Sequence, residues 1–443
     1  MAGAGDAVLA HGIGGAEDLP ISPELAIAGA VAALTISFTV LALAWRSPRY
    51  DAARSGRPVP MSFQRVVDSR AFTVVARAFG MAWFLYAAVA AVLGPDLLTN
   101  PVLGMVYVIL WVGIVPASLL CGPFWRAISP VRTLHAGLTR LTGGEAGRGV
   151  LTYPERLGYW PAALGLFAFV WLELVHPNQT EVGTVRLWFA VYVAVMLVGG
   201  ALYGNRWFER GDPFEVYSTL VGKLSPWGRR DDRLVVRSPT ANLDTVPAAP
   251  GLLAVGAVLF GSTAFDSFQA SSPWIVFTQE SGTSTVLLDN LALLGFCLLA
   301  GAIFASAAAA TGVGPGQRRR ALPDQFAHSL VPIIVGYMVA HYLVYFTQVG
   351  QQTLIQMSDP LSTGADLLGT ADWSVSYWLS DHPTGVAIVK VLGVVVGHVV
   401  AVVAAHERAV RLLPRRHQIT GQLPMLFAMV AFTAGGLFLL FAG

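Results

Sequence analysis

TVLLDNLALLGFCLLAGAIFASAAAA, residues 285–310, is a long apolar run with a single charged side chain, Asp289. About 20 apolar residues in helical form cross the hydrocarbon core of a bilayer, so this stretch is long enough to span it. Three arginines at 318–320 follow it closely, and basic residues remain on the cytoplasmic side of a membrane. The stretch therefore predicts a membrane-spanning helix that ends in the cytoplasm.

Nine further apolar runs of similar length accompany this one. The predicted helices are 24–45, 72–93, 102–120, 159–176, 185–203, 250–268, 285–310, 326–348, 384–406 and 423–442. The composition agrees, because 55% of the residues are hydrophobic and only 12% are charged, about half the charged share of a soluble domain. The sequence predicts an all-α, multi-pass integral membrane protein with ten transmembrane helices in one membrane domain, 24–443.

The linkers between these runs alternate in charge. Of the 28 Lys and Arg residues, all but Arg77, Arg186 and Lys390 lie in five alternate linkers. These linkers are 46–71, 121–158, 204–249, 311–325 and 407–422. The pattern predicts that they are cytoplasmic and that both termini face outward across a bacterial plasma membrane. Anionic lipids of the inner leaflet account for the basic face, so we expect the bilayer as partner and no nucleic acid.

Residues 1–23 form a predicted outward leader, and they lack the basic region of a complete signal peptide. Val8–His11 resembles the end of a signal cleavage site, so His11 could become an amino-terminal copper ligand. The alternative is a leader without a ligand role. Neither Cys121 nor Cys297 lies in an outward loop, so no disulfide framework is expected there.

Two hairpin segments, 72–141 and 159–224, look like a parallel repeat. Ser129-Pro130 and Asp212-Pro213 each place a capping side chain before a proline at the start of a helix. The apolar stripes that follow also match. The first comprises Val131, Leu134, Leu138 and Leu141, and the second comprises Phe214, Tyr217, Val221 and Leu224. Such stripes predict two amphipathic helices on the cytoplasmic membrane surface. A large outward loop is predicted at 349–383.

Ionisable side chains inside a bilayer are costly and are candidates for function. Those away from the predicted inner interface are Glu173, Asp266, Asp289, His341, Lys390 and His398. All except His398 fall in the predicted outer half, which indicates a polar cavity that opens outward. Glu173 and His176 lie three residues apart and could share a cation. Alternatively, His176 lies at the headgroups.

A polar stripe follows the eighth predicted helix. Tyr337, His341, Tyr345, Gln348 and Gln352 recur at helical spacing. Such a stripe is expensive in lipid, so it is expected to face the bundle interior and line a cavity, or else to form hydrogen bonds between helices. His328 and His406 lie at similar depth, but a haem between them is not favoured.

Candidate roles follow from these positions. Glu173, His176, Asp266 and His341 are the predicted metal ligands, and a mixed His and carboxylate set suits zinc, iron or copper. Lys390 and Asp289 are the candidate catalytic residues, with Lys390 stabilising developing negative charge. The bland alternative for Lys390 is an ion pair with Asp289, Asp266 or Glu173. No phosphate-binding loop, dinucleotide fingerprint, H-E-x-x-H or G-x-S-x-G motif occurs.

Several short segments resemble a family of actinobacterial multi-pass membrane proteins known as fenitrothion hydrolase-like. The segments are Ala10–Gly15, Asp18–Pro20, Asp212–Tyr217, Phe265-Asp266 and Ala340–Tyr342. The resemblance implies hydrolysis of organophosphate esters and carries no catalytic residues with it.

The leading hypothesis is a metal-dependent membrane hydrolase whose small-molecule substrate arrives from the outer side. The alternatives are a transporter or channel for a metal ion or small solute, and a non-catalytic subunit of a larger complex.

Overall fold

The computed structural model describes residues 15–51, 53–145, 147–312, 318–414 and 417–441. Over these residues the chain is mostly helical and divides into two compact units. Of the described residues, unit 1 contains Gly56–Arg237 and Tyr345–Ser376, and unit 2 contains the remainder. His11 and most of the predicted leader lie outside the described residues.

The α-helices are numbered in chain order. They are α1 (Pro23–Ala44), α2 (Met61–Val67), α3 (Arg70–Leu93), α4 (Pro101–Gly104), α5 (Ile114–Cys121), α6 (Trp125–Ile128), α7 (Pro130–Leu141), α8 (Trp160–Leu174), α9 (Val182–Tyr203), α10 (Asn205–Gly211), α11 (Pro213–Gly222), α12 (Pro239–Leu243), α13 (Leu252–Gln269), α14 (Ser272–Glu280), α15 (Thr285–Ala310), α16 (Leu322–Phe326), α17 (Leu330–Gln356), α18 (Pro383–Leu412) and α19 (Leu423–Phe441). Short 3₁₀ turns lie at Ala16–Asp18, Glu155–Leu157, Arg319–Ala321, Ala327–Ser329 and Thr420–Gln422.

The helices have the dimensions of a multi-pass membrane protein. Among the described residues, nine are long and apolar enough to cross a membrane, and a bent pair makes up to ten. The bent pair, Pro101–Leu110 and Ile114–Cys121, falls on the predicted helix 102–120 and turns by 45°. A π-helical segment at Met105–Leu110 precedes the bend, and Pro116 lacks the N–H that a regular helix would use there. Membrane orientation remains a prediction.

Two helices extend well past their predicted ends. α17 continues from the predicted end at 348 to Gln356, and α18 continues from 406 to Leu412. Hydropathy marks where apolar side chains stop, whereas a helix ends where its backbone hydrogen bonds stop. The predicted outward loop 349–383 therefore begins with two turns of helix.

The two proline-initiated helices in unit 1 have similar beginnings. The Ser129 hydroxyl accepts from the Arg132 N–H, and the Asp212 carboxylate accepts from the Phe214 and Glu215 N–H groups. A glycine with positive φ also ends α5 and α9, and one short helix separates each of these from the proline-initiated helix: Gly122 has φ 75° and ψ −153°, and Gly204 has φ 62° and ψ −148°. The repeat itself stays a prediction, and its local geometry recurs closely.

The two helices predicted to lie on the membrane surface differ in burial. α7 buries Val131 and leaves Leu141 exposed. α11 buries nearly every residue, including Glu215 and Ser218, so the prediction of a surface helix with one polar face is wrong for 213–222. One buried polar side chain of α11, Ser218, has its partner within unit 1, because its hydroxyl lies 2.9 Å from the Ser118 hydroxyl.

A bidentate ion pair joins these two helices. The Arg132 Nε and Nη2 groups donate to the Glu215 carboxylate at 2.5 and 2.6 Å, and both side chains are largely buried. The two residues are 83 positions apart, which is also the spacing of Ser129 and Asp212. Equivalent positions of the two segments therefore bind each other.

Unit 1 also contains a small antiparallel sheet that the sequence did not predict. Its strands are β1 (Arg57–Pro58), β2 (Trp227–Arg230) and β3 (Arg233–Val236), in the order β1-β3-β2. Arg57 pairs with Val236, and Arg230 pairs with Arg233 across the turn of the β2–β3 hairpin. The sheet thus ties together two of the basic linkers, 46–71 and 204–249.

In unit 2, glycines allow helices to pack closely. A Cβ at Gly336 of α17 would lie 2.3 Å from the Gly393 carbonyl oxygen of α18, and one at Gly397 would lie 2.5 Å from that of Pro332. Only glycine fits at such contacts, which are common where membrane helices meet without large side chains. This packing fixes α17, the helix that carries the polar stripe.

Candidate functional site

A cluster of polar side chains lies where the last turns of α13 face the middle of α17. α13 contributes the side chains of Asp266 and Ser267 and the carbonyl of Thr263, while α17 contributes the side chains of Tyr337, His341 and Tyr342. Spacings of four residues place Thr263 with Ser267, and Tyr337 with His341, on one face of their helices. All six residues belong to unit 2. We call this cluster the relay.

Hydrogen bonds connect the relay from end to end. Tyr337 Oη lies 2.9 Å from Ser267 Oγ, which lies 3.1 Å from His341 Nδ1. The other ring nitrogen, Nε2, lies 3.0 Å from the Asp266 carboxylate. Tyr342 donates its hydroxyl to the same carboxylate oxygen at 2.6 Å. Each neighbouring pair is thus within hydrogen-bonding distance.

His341 can hold either one or two protons in this arrangement. In the neutral form Nε2–H donates to Asp266, and Nδ1 accepts the Ser267 hydroxyl hydrogen. In the charged form Nδ1–H donates to Ser267 Oγ, and the hydroxyl turns to the Thr263 carbonyl oxygen, 3.3 Å away. No heavy atom needs to move, because rotation of one hydroxyl satisfies both forms. Either protonation state of His341 therefore has hydrogen-bond partners at fixed positions.

Burial increases along the relay. The Asp266 side chain is 18% exposed and that of His341 is 7% exposed, whereas Tyr337 is fully enclosed. Asp266 is also nearer the end of its helix, three residues before Gln269. Asp266 is therefore the least buried of the six residues.

The two predicted catalytic residues have partners of their own in unit 2. Asp289 accepts a hydrogen bond from Trp274 Nε1 at 3.0 Å and is buried. Lys390 is also buried, and the carboxylate of Asp18 acts on it electrostatically. Asp18 lies in the 3₁₀ turn before α1, where it also accepts from the Gly15 N–H. The sequence predicts Asp289, Asp266 or Glu173 as the counter-ion of Lys390, and Asp18 is not among them.

Glu173 and His176 belong to unit 1 and do not form the predicted pair through the histidine ring. His176 follows the end of α8, accepts from the Asn178 N–H at 3.1 Å, and packs edge-on against Trp171. Glu173 is half-buried, and its charge acts on the phenols of Tyr107 and Tyr217. His176 thus serves to shape a helix end.

The predicted stripe on α17 avoids exposure throughout. Tyr337, His341 and Gln348 are buried, and Tyr345 and Gln352 are half-buried. The first two belong to unit 2 and join the relay, while Tyr345 and Gln348 belong to unit 1. The burial agrees with a stripe that avoids lipid, and a role in lining a cavity stays a prediction.

The predicted four-ligand metal centre has no geometric support. No group of three or more His, Cys, Asp or Glu side chains within the described ranges is placed to hold a metal ion. Of the four predicted ligands, Asp266 and His341 are brought together, and both ring nitrogens of His341 already lie within hydrogen-bonding distance of a protein oxygen. A hydrogen-bonded pair is what these two residues form.

The other buried histidines of unit 2 form local bonds. His398 Nδ1 lies 2.8 Å from the Val394 carbonyl of its own helix, and His328 Nδ1 lies 3.1 Å from the Gln325 carbonyl. The His406 ring nitrogens lie 3.0 Å from Gln422 Oε1 and 2.8 Å from the Trp45 carbonyl. Both ring nitrogens of His406 are thus within hydrogen-bonding distance of protein oxygens.

Sequence reasoning missed Ser267, Thr263 and Tyr342. Ser267 and Tyr342 directly follow Asp266 and His341, respectively, and uncharged hydroxyl residues are common within membrane helices. Their contribution becomes visible only once α13 and α17 are in contact. The spacing of Thr263 and Ser267 on one helical face was the available signal.

Comparison with known proteins identifies no relative: no protein-family model matches the chain, and neither a curated protein nor a solved structure matches it.

Proposed function

We propose that this protein is a multi-pass membrane protein that moves protons through the relay, in proton-linked transport of a small solute or ion. The observation that carries the proposal is the position of His341 between Asp266 and Ser267, at 3.0 and 3.1 Å. Histidine changes charge near neutral pH, and chains of His and carboxylate groups inside membranes serve as proton relays in pumps and transporters.

The relay is well suited to this role because both charge states of His341 have partners at fixed positions. A site that needs no rearrangement of heavy atoms exchanges a proton at low cost. The partial exposure of Asp266 supplies an entrance. The predicted orientation places that entrance on the outer side of the membrane.

Proton flux into liposomes tests this proposal. Purified protein is reconstituted with a pH-sensitive dye inside the vesicles, and a potassium diffusion potential drives protons inward. We expect wild-type flux above that of empty vesicles, and loss of the excess in His341→Gln and Asp266→Asn. His398→Gln is the matched control, because it removes another buried imidazole of unit 2 whose Nδ1 is engaged only within its own helix. Wild-type flux equal to that of empty vesicles, or full flux in His341→Gln, would refute the proposal.

A second candidate function is ester hydrolysis, favoured by the order Ser267–His341–Asp266. The same order of groups activates serine in hydrolases, where the histidine removes the hydroxyl proton and the acid orients the ring. In serine hydrolases the serine faces Nε2 of the histidine and the acid faces Nδ1. Here the two nitrogens are reversed, since Ser267 faces Nδ1 and Asp266 faces Nε2. In a phosphotriester reaction, Ser267 Oγ would bond to phosphorus, His341 would take the proton, and the alkoxide or phenoxide would leave. Water would then release the phosphoryl group from Ser267. The resemblance to fenitrothion hydrolase-like proteins agrees with this candidate.

A fluorophosphonate probe separates the two candidates. The probe labels activated serines covalently, so a hydrolase would be labelled at Ser267 and lose the label in Ser267→Ala and His341→Gln. Ser262→Ala is the matched control, because Ser262 is also buried on α13 and, among the described residues, its hydroxyl bonds only the Leu259 carbonyl. A protein that conducts protons but takes no label supports the relay alone.

A further inference from the structure

An apolar groove in unit 1 is distinct from the relay, which belongs to unit 2. Its volume is about 440 Å³, within the range of small-molecule sites. α3, α9 and the π-helical segment Met105–Leu110 form most of its walls. Representative lining residues are Trp83, Phe84, Ala88, Val106, Phe189 and Ala190. Its lining is almost entirely hydrocarbon, so the groove suits an aliphatic chain.

One cation lines the groove. Arg186 lies in the first turns of α9, and its Nη1 donates to the Ala91 carbonyl at 3.0 Å, near the end of α3. Within the described parts of the chain, Arg186 forms no other hydrogen bond and no ion pair. It is also one of only three basic residues outside the five basic linkers. The remaining N–H groups of its guanidinium are thus available to an external acceptor.

A fixed guanidinium at one end of an apolar groove matches one class of molecule. A phosphate group accepts paired hydrogen bonds from the planar fork of an arginine. An empty groove would deprive its walls of dispersion contacts, which a lipid tail restores. An unpaired arginine within membrane-length helices is costly, and a phosphate reduces that cost.

We propose that this groove binds an anionic phospholipid, with one acyl chain between α3 and α9 and its phosphate on Arg186. The bond to Ala91 holds the guanidinium at the mouth of the groove. The aromatic side chains of Trp83, Phe84 and Phe189 line the groove and would contact the acyl chain of the lipid. The positive charge of Arg186 favours a lipid with an anionic headgroup. The apolar groove binds the acyl chain of any phospholipid.

Native mass spectrometry of the delipidated full-length protein tests the site, with phosphatidylglycerol and phosphatidylcholine as probes. We expect phosphatidylglycerol to bind about tenfold more tightly than phosphatidylcholine. Arg186→Gln should remove that preference while phosphatidylcholine still binds. Ala190→Trp keeps the arginine, fills the groove and should weaken both lipids.

Two control variants make the result specific. Arg77→Gln removes another isolated arginine, on α3, that does not line the groove, and Leu187→Trp enlarges an exposed neighbour of Arg186 outside the lining. Both should retain the wild-type preference. Equal affinity of the wild-type protein for the two lipids, or an unchanged preference in Arg186→Gln, would overturn the proposal. Unchanged binding in Ala190→Trp would overturn it even if Arg186→Gln failed to fold.

Discussion

One polar contact in each unit accommodates a buried ionisable group in a different way. Unit 1 joins α7 and α11 through a full ion pair, in which Arg132 is 10% exposed and Glu215 is 2% exposed. Unit 2 joins α13 and α17 through the relay, where the hydroxyls of Tyr337, Ser267 and Tyr342 adjoin a single His–carboxylate contact. The ion pair has one satisfied charge state, whereas the relay has two. The Arg132–Glu215 ion pair and the relay thus differ in the number of protonation states for which every polar group has a hydrogen-bond partner.

The largest effect should come from breaking the ion pair. Arg132→Met leaves Glu215 charged and buried without its partner, and we expect a loss of about 3–5 kcal/mol in the free energy of unfolding. The double variant Arg132→Met/Glu215→Leu should recover much of this loss, since no charge remains. Thermal and denaturant unfolding in detergent would measure both. Arg148→Met is the control, because the Arg148–Glu145 pair is mostly exposed and should contribute less than about 1 kcal/mol.

The same removal of one partner should cost less in the relay. His341→Gln keeps a polar side chain beside Asp266 and Ser267, and a typical hydrogen bond contributes about 1 kcal/mol. If His341→Gln destabilised the protein as much as Arg132→Met, the relay would be a structural clamp like the ion pair. Flux and stability would then have to be separated before a proton-transfer role could be assigned.

A second prediction concerns Asp212, the buried cap of α11. Burial, reinforced by the charge of Glu215, raises the pKa of Asp212 to about 7, against hydrogen bonds from Tyr192 and the backbone that lower it. The folded protein then holds a proton that the unfolded chain releases above about pH 4. Stability from this group is therefore greatest below pH 4 and falls as pH rises towards 7.

Asp212→Asn should flatten this dependence, because an amide keeps the capping oxygen and cannot ionise. The measurement is the melting temperature of both proteins between pH 5 and pH 8. Asp68→Asn is the control. The Arg229 guanidinium lowers the pKa of Asp68, so its contribution is lost only in acid and the slope between pH 5 and pH 8 should not change. A wild-type slope that survived in Asp212→Asn would assign it to another group.

The difference between the two clusters also explains what the sequence could predict. Asp266 and His341 were identified because ionisable residues are rare in apolar runs, and the sequence alone shows such a residue. Arg132 and Glu215 were hidden by the basic linkers, where a charge normally meets water. The burial of α11 could not be foreseen, because the sequence does not show that Arg132 neutralises Glu215 or that Ser118 meets Ser218.

The presence of the membrane-length helices was predictable from the sequence, whereas two helix ends and one bend were not. Long apolar runs fixed the membrane-length helices, including α15, whose bounds match the prediction at 285–310. The ends of α17 and α18 were missed, because their last turns are helical but no longer apolar. The bend between Pro101–Leu110 and Ile114–Cys121 depends on backbone geometry that hydropathy does not record.

The smallest predicted effect distinguishes two tyrosine hydroxyls that each donate to an aspartate carboxylate. Tyr342 donates to Asp266 in the relay at 2.6 Å, and Tyr192 donates to Asp212 in unit 1 at 3.0 Å. Replacement by phenylalanine should cost about 1 kcal/mol of stability at each site. Only Tyr342→Phe should also alter proton flux, because Tyr342 donates to the carboxylate of Asp266, the member of the relay through which we propose that protons pass. Equal flux in Tyr342→Phe and Tyr192→Phe, with wild-type flux intact, would show that protons leave the relay without passing through Asp266.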